Sequence, residues 1–230
     1  MREFILSSAY FGLALSVGAY LVGLAARRRF RCALLNPLLV AIVLIIALLA
    51  LGGIPYRSYE RGAKYLSYFL TPATVCLALP LYRQLRLLRR HAAAIFCGIA
   101  AGVAASAASI FVMARCLGLS RTVYVTLLPK SITTAIGMGV SAEAGGIVTV
   151  TVAAIIVTGI LGNIIAEPVT ALFRITDPVA KGLAIGTSAH AIGTVKALEM
   201  GEAEGAMSSL AVAVAGLVTV FVVPLAAGLY

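Results

Sequence analysis

"LLPKSITTAIG", residues 127–137, is the stretch on which the fold turns. It lies among strongly apolar segments, yet its eleven residues hold Pro129, Lys130 and the hydroxyls of Ser131, Thr133 and Thr134. A lysine near the centre of a bilayer costs about 2.5–3.5 kcal/mol on insertion scales, so something must offset it. Pro129 removes a backbone donor and breaks a helix just before Lys130. A half-helix starting there points its free N–H groups and the positive end of its dipole into the protein. With hydroxyls on more than one helical face, the segment reads as a receptacle for a small anion, a carboxylate in particular. Discontinuous helices near the midplane are a common way for transporters to build binding sites. The plain alternative is that Lys130 snorkels to the surface and the hydroxyls bond back to the preceding turn.

The surroundings set the class. Of 230 residues, 62% are hydrophobic and 11% charged, with a mean hydropathy of +1.07. A soluble domain carries roughly 45–50% apolar and about 25% charged residues. The apolar residues come in blocks matching the roughly 20 needed for a spanning helix. The chain therefore reads as an all-α polytopic membrane protein, 1–230 forming a single integral membrane domain. Six blocks read as spans: 4–25, 34–53, 65–82, 92–117, 146–166 and 206–229. The third is interrupted by Pro72 and Pro80. Two further segments, 122–140 and 182–198, are apolar but studded with polar groups. They read as re-entrant or discontinuous helices, because irregular backbone at membrane depth must be covered by protein or a watery cavity. The first block is too long for the apolar core of a signal peptide and is followed by "RRRFR", so it is expected to stay as an anchor.

The net charge of +10 marks membrane orientation rather than nucleic-acid binding. Arg27, Arg28, Arg29 and Arg31 form one cluster beside a span, and Arg83, Arg86, Arg89 and Arg90 a second. Placing both on the cytoplasmic side of the cell membrane puts the N-terminus outside. Arg57, Arg61 and Lys64 then face out, against the rule but fewer in number. If the two polar segments each dip in and return, they do so from opposite faces, and the loop with Arg174 and Lys181 is also inside. The arginines are expected to bind anionic lipid headgroups as well.

The second polar segment is "GTSAHAIGTVKALE", residues 186–199. His190 there suits donation to a substrate oxygen or proton carriage, Gly193 permits close backbone approach, and Thr187, Ser188 and Thr194 add short polar groups. A packed structural histidine is the bland reading. A third constellation, "LTPATVCLALP" at 70–80, offers Thr71 and Thr74 to line a path. Thr71-Pro72-Ala73 resembles Thr187-Ser188-Ala189 in placement, and "LLNPLL" around Asn36 echoes "LLPKSITT". These echoes hint at a diverged inverted repeat.

"LLNPLLVAIV", "LTPATVCLALPLY", "LLPKSITTAIG" and "GTSAHAIGTVKALE" together resemble the ordered signature blocks of the LrgB/CidB family, over nearly the whole chain. Ala135 departs from the pattern, standing where a proline is expected after the Thr-Thr pair. The resemblance implies an antiholin-like or holin-like membrane protein linked to murein hydrolase control and lysis, commonly paired with a smaller LrgA/CidA-type membrane protein. The family also includes the plastidial glycolate/glycerate translocator and bacterial pairs implicated in pyruvate uptake.

Residue chemistry and resemblance meet on small-monocarboxylate transport by alternating access, for glycolate, glycerate, pyruvate or lactate. Lys130 is the expected charge partner, with Ser131, Thr133 and Thr134 as donors. Ser188, His190, Gly193 and Thr194 form the opposite wall, and Asn36, Thr71 and Thr74 line the site or an ion path. A homodimer is the expected assembly. The rival is a holin/antiholin-like regulator without a stoichiometric substrate, supported by the small-residue pair Gly98 and Gly102. An enzyme is not expected: the two histidines lack zinc-site spacing, the four cysteines form no CxxC, and no cofactor or metal is implied.

Overall fold

The computed structural model describes residues 8, 10–30, 36–69, 72, 75, 76, 78–83 and 85–230. The chain divides into two compact units, Met1–Cys76 and Leu77–Tyr230.

In the N-terminal unit, α1 (Phe11–Phe30) and α2 (Pro37–Leu51) are apolar and α3 (Tyr56–Ser67) is amphipathic. Three arginines close α1, complementing the negative end of its dipole. Asn36 caps α2: its side chain accepts from Leu38 N at 2.9 Å and Leu39 N at 3.3 Å, and Pro37 occupies the first turn, where no donor is needed. Ser16 Oγ and Tyr59 Oη, 2.9 Å apart, tie α1 to α3. Of the block expected at 65–82, residues 70, 71, 73, 74 and 77 lie outside the described residues. The helix over its start, α3, ends at Ser67 and carries Arg57, Glu60, Arg61 and Lys64 on a strongly amphipathic surface.

The C-terminal unit opens with the short helices α4 (Ala78–Arg83) and α5 (Leu85–Arg90). Three long helices follow: α6 (Ala92–Cys116), α9 (Val148–Leu172) and α11 (Glu202–Ala227). Among the described residues these three alone are long and apolar enough to cross a membrane. A helix of 25 residues is about 37 Å long, against a hydrocarbon core of about 30 Å. α6 and α11 run parallel. Ile95, Ile99 and Val103 pack on Ala206, Met207, Leu210 and Ala211 at one end; Ile110 and Ala114 pack with Val223, Ala226 and Ala227 at the other. α9 runs the opposite way.

Between the long helices hang two helical hairpins. The first comprises α7 (Arg121–Leu127) and α8 (Thr134–Glu143). At about 10 and 15 Å, neither arm can cross a bilayer. The chain breaks at Leu128–Thr133, as the proline rule requires, and comes back. Thr126 on α7 accepts from Ile147 N at 2.8 Å through its hydroxyl, and Ser141 on α8 lies 2.6 Å from Thr151. The second hairpin is α10 (Pro178–Met200), which folds back at His190, where φ is 43° and ψ −145°. Gly193 packs on Ile185 across the bend. Ala166 of α9 forms one buried cluster with Ile185 and Ala197, and Lys196 reaches Glu167 at 2.9 Å. Both polar segments are thus broken helices, and their tips point in opposite directions along the unit.

α10 lies against α11 along a seam of small residues. A side chain at Gly182 would overlap the Glu204 carbonyl, and one at Gly186 would meet the Ser208 carbonyl at 2.5 Å. Backbones approach this closely only where one partner lacks a Cβ.

Candidate functional site

A cavity of about 870 Å³ runs between α6 and the first arm of α10. His91 and Asp177, at the starts of the two walls, line one end of it; Ser106, Ser109, Lys130, Ser131, Thr187 and Ser188 line it further along the helices. Its walls are otherwise apolar, with Gly98 and Gly102 leaving room along α6. Lys130 comes from the break in the first hairpin, so the tip of that hairpin forms part of the cavity lining.

Lys130 is half-buried. Its Nζ donates to Ser131 Oγ at 3.0 Å, and Ser131 Oγ is 3.3 Å from Ser106 Oγ. An ammonium has three donors, and two of Lys130's have no protein partner among the described residues. The ion pairs described in this unit join Arg83 to Glu202 and Lys196 to Glu167 and Glu199; none involves Lys130. A half-buried cation without a carboxylate beside it is costly, and a ligand anion offsets that cost.

The other hydroxyls are turned onto their own helices. Ser109 donates to Ser106 O at 2.8 Å, Thr187 to Leu183 O at 2.7 Å and Ser188 to Ala184 O at 2.6 Å. Each leaves its lone pairs free and has to rotate to donate to an anion.

Of the residues singled out in the sequence, Lys130, Ser131 and Ser188 meet in this cavity. Thr133 and Thr134 do not line it; they open the second arm, α8, with Thr133 at its uncapped N-terminus. His190, Gly193 and Thr194 lie behind the wall. His190 is 2% exposed, and its Nε2 donates to Ile155 O at 2.9 Å. A carbonyl only accepts, so that proton sits on Nε2. Thr194 Oγ1 donates to His190 O at 3.1 Å and therefore accepts from Ser208 Oγ at 2.8 Å. Gly193 packs against Ala189 and Ile185. Asn36 serves as the α2 cap in the other unit, and Thr71 and Thr74 lie outside the described residues. Thr187, noted in the sequence as a short polar group of the second segment, also lines the cavity, and Ser106 and Ser109 line it without having been singled out. The signal of these two serines is one α6 face, Gly98, Gly102, Ala105, Ser106 and Ser109, whose small residues read equally well as helix packing.

No solved structure matches this chain. The profile of the LrgB-like family matches residues 16–229. The "Antiholin-like protein LrgB" of Bacillus cereus (strain B4264) is 39% identical over 217 residues, 94% of each chain, and the protein of that name from Bacillus anthracis (strain A0248) matches to the same extent. Agreement over this length, taking in both hairpins and all three long helices, means that the chain belongs to the LrgB family.

Proposed function

We propose that this membrane protein is a carrier of small monocarboxylate anions, working by alternating access. The observation that carries the proposal is Lys130: a half-buried ammonium at a broken helix, lining a cavity, with no carboxylate paired to it among the described residues. One positive charge matches one carboxylate. The nearby hydroxyls of Ser106, Ser131 and Ser188 suit a second substrate oxygen, as in glycolate, glycerate, pyruvate or lactate. The uncapped start of α8 adds its positive dipole end at the same tip. The hairpins read as re-entrant segments, with the long helices and the apolar helices of the N-terminal unit supplying the spans. The lining residues His91 and Asp177 are close in the chain to Arg89, Arg90, Arg174 and Lys181, so the positive-inside rule favours a cytoplasmic side for this end of the cavity and an external N-terminus. A dimer, and association with an LrgA/CidA-type protein, fit this reading.

The second reading is an antiholin-like regulator of murein hydrolase export and lysis. The relatives' names favour it over the carrier, since they describe an antiholin-like role across nearly the full chain. The two readings part in purified proteoliposomes. A carrier gives saturable uptake of labelled glycolate that unlabelled pyruvate or lactate suppresses. Leakage of an unselective dye at the same protein density, without saturable uptake, sinks the carrier reading in favour of the regulator.

A further inference from the structure

The C-terminal unit repeats itself. Ala135-Ile136-Gly137 with Glu143 recurs as Ala191-Ile192-Gly193 with Glu199 at the same spacing, in the second arm of each hairpin. The connections leading into the hairpins match as well. After α6, Gly118 takes a φ of 61° and Leu119 N bonds Ala114 O at 3.0 Å. After α9, Arg174 takes a φ of 52° and Ile175 N bonds Thr170 O at 2.8 Å. This way of ending a helix is common and also closes α2 and α8 at Gly53 and Gly145; the repeat rests on its falling at the same spacing from the matched second arms. Each first arm then starts with a side-chain cap: Ser120 on Val123 N and Asp177 on Ala180 N. Long helix plus hairpin therefore occurs twice, and the second copy is inverted relative to the first.

The register carries the open cavity onto a closed place. His91, the N-cap of α6, and Ile95 within it correspond to Ile147, the N-cap of α9, and Thr151 within it. In the first arms, which are one residue out of step with the long helices, the count runs from the caps: Leu183, six residues past Asp177, corresponds to Thr126, six past Ser120. These counterparts are in direct contact: Ile147 N donates to Thr126 Oγ1 at 2.8 Å, and Thr151 Oγ1 to Thr126 O at 2.9 Å. Ser141 closes the cluster at 2.6 Å from Thr151. Thr126, Ser141 and Thr151 are fully buried.

We infer that the protein holds a second access route to the Lys130 site, running from the opposite end between the first hairpin and α9, and sealed in this state by Thr126, Ser141 and Thr151. The inference rests on the carrier reading and adds the residues of the closed gate. Opening costs a few hydroxyl bonds that water can replace, a modest barrier for a gate.

The test uses full-length protein with Cys32, Cys76, Cys97 and Cys116 replaced by serine. Ser141→Cys with Thr151→Cys is oxidised in proteoliposomes. Uptake should fall to the level of empty vesicles and return with reductant. Undiminished uptake after complete cross-linking overturns the route and leaves the carrier reading intact. A membrane-impermeant maleimide is applied in parallel to intact cells and to inverted vesicles. Ala94→Cys, in the open cavity, should label from one side, and Thr151→Cys from the other. Labelling of Thr151→Cys from neither side, or from the same side as Ala94→Cys, overturns the inference. If Thr151→Cys does not fold, Thr126→Cys takes its place. Should the unmodified protein show no uptake, the carrier reading fails and the labelling arm still decides whether the route exists.

Discussion

Replacing Lys130 with methionine separates a binding lysine from a structural one. Two unit charges at 4 Å attract by about 4 kcal/mol at an effective dielectric of about 20, and by about 1 kcal/mol in bulk water. Lys130 is half-buried and lines a cavity, so about 2 kcal/mol is the fitting magnitude. At 1.4 kcal/mol per decade, that is about 30-fold in apparent affinity. Stability should move little. Methionine fills much of the same volume, and the only side-chain bond lost is the one to Ser131 Oγ, worth about 1 kcal/mol. Relief from holding a charge out of water offsets it. Initial uptake rates of labelled glycolate in proteoliposomes should show KM raised about 30-fold, and the unfolding midpoint in detergent should stay level or rise. An unchanged KM refutes the reasoning. So does a collapse in thermal stability, since the lysine would then be holding the fold together.

Gly102→Val should obstruct the cavity without unfolding the protein. A Cβ there sits 3.1 Å from Thr187 Oγ1, so uptake should fall more steeply for lactate than for glycolate in a competition series. His190→Ala should lower stability by about 2–3 kcal/mol in detergent melts, because it keeps the positive φ while losing the bond to Ile155 O and leaving a void beside Gly159. Tyr124→Phe removes a buried bond to Ala226 O at 3.0 Å. About 1 kcal/mol of stability should be lost with KM unchanged, since Tyr124 lies away from the cavity.

The break at Pro129 was legible because proline acts locally: a missing N–H and a clashing ring end a helix in any surroundings. The return at His190 was legible only as polarity. Nothing in "TSAHAIG" announces a reversal at a histidine, and its left-handed backbone is held by long-range neighbours. Gly159 makes room for the ring and Gly162 for Ala189, while Asn163 Nδ2 donates to Ile192 O at 3.0 Å. The expectation that His190 and Thr194 face the substrate failed to anticipate this packing, because helical spacing says which residues share a face but not which neighbour covers it. Ser106 and Ser109 were obscured for the opposite reason: small residues along a helix look alike whether they border a cavity or another helix. The sequence echoes pair N-terminal segments around Asn36 and Thr71 with the two polar segments, whereas the pairing that matches in structure joins the two hairpins to each other.

The seam between α10 and α11 has a consequence for which sequences this fold can accept. In water, the largest core residues are the hardest to replace, since their loss forfeits the most apolar burial. Lipid is as apolar as leucine, and helices within it gain nothing comparable by meeting. At Gly182 and Gly186 the usual ranking therefore inverts: the residues contributing the least matter are the least exchangeable. Variation among viable sequences should gather at bulky outward positions such as Leu217 and Phe221, and nearly vanish where the chain carries no side chain at all.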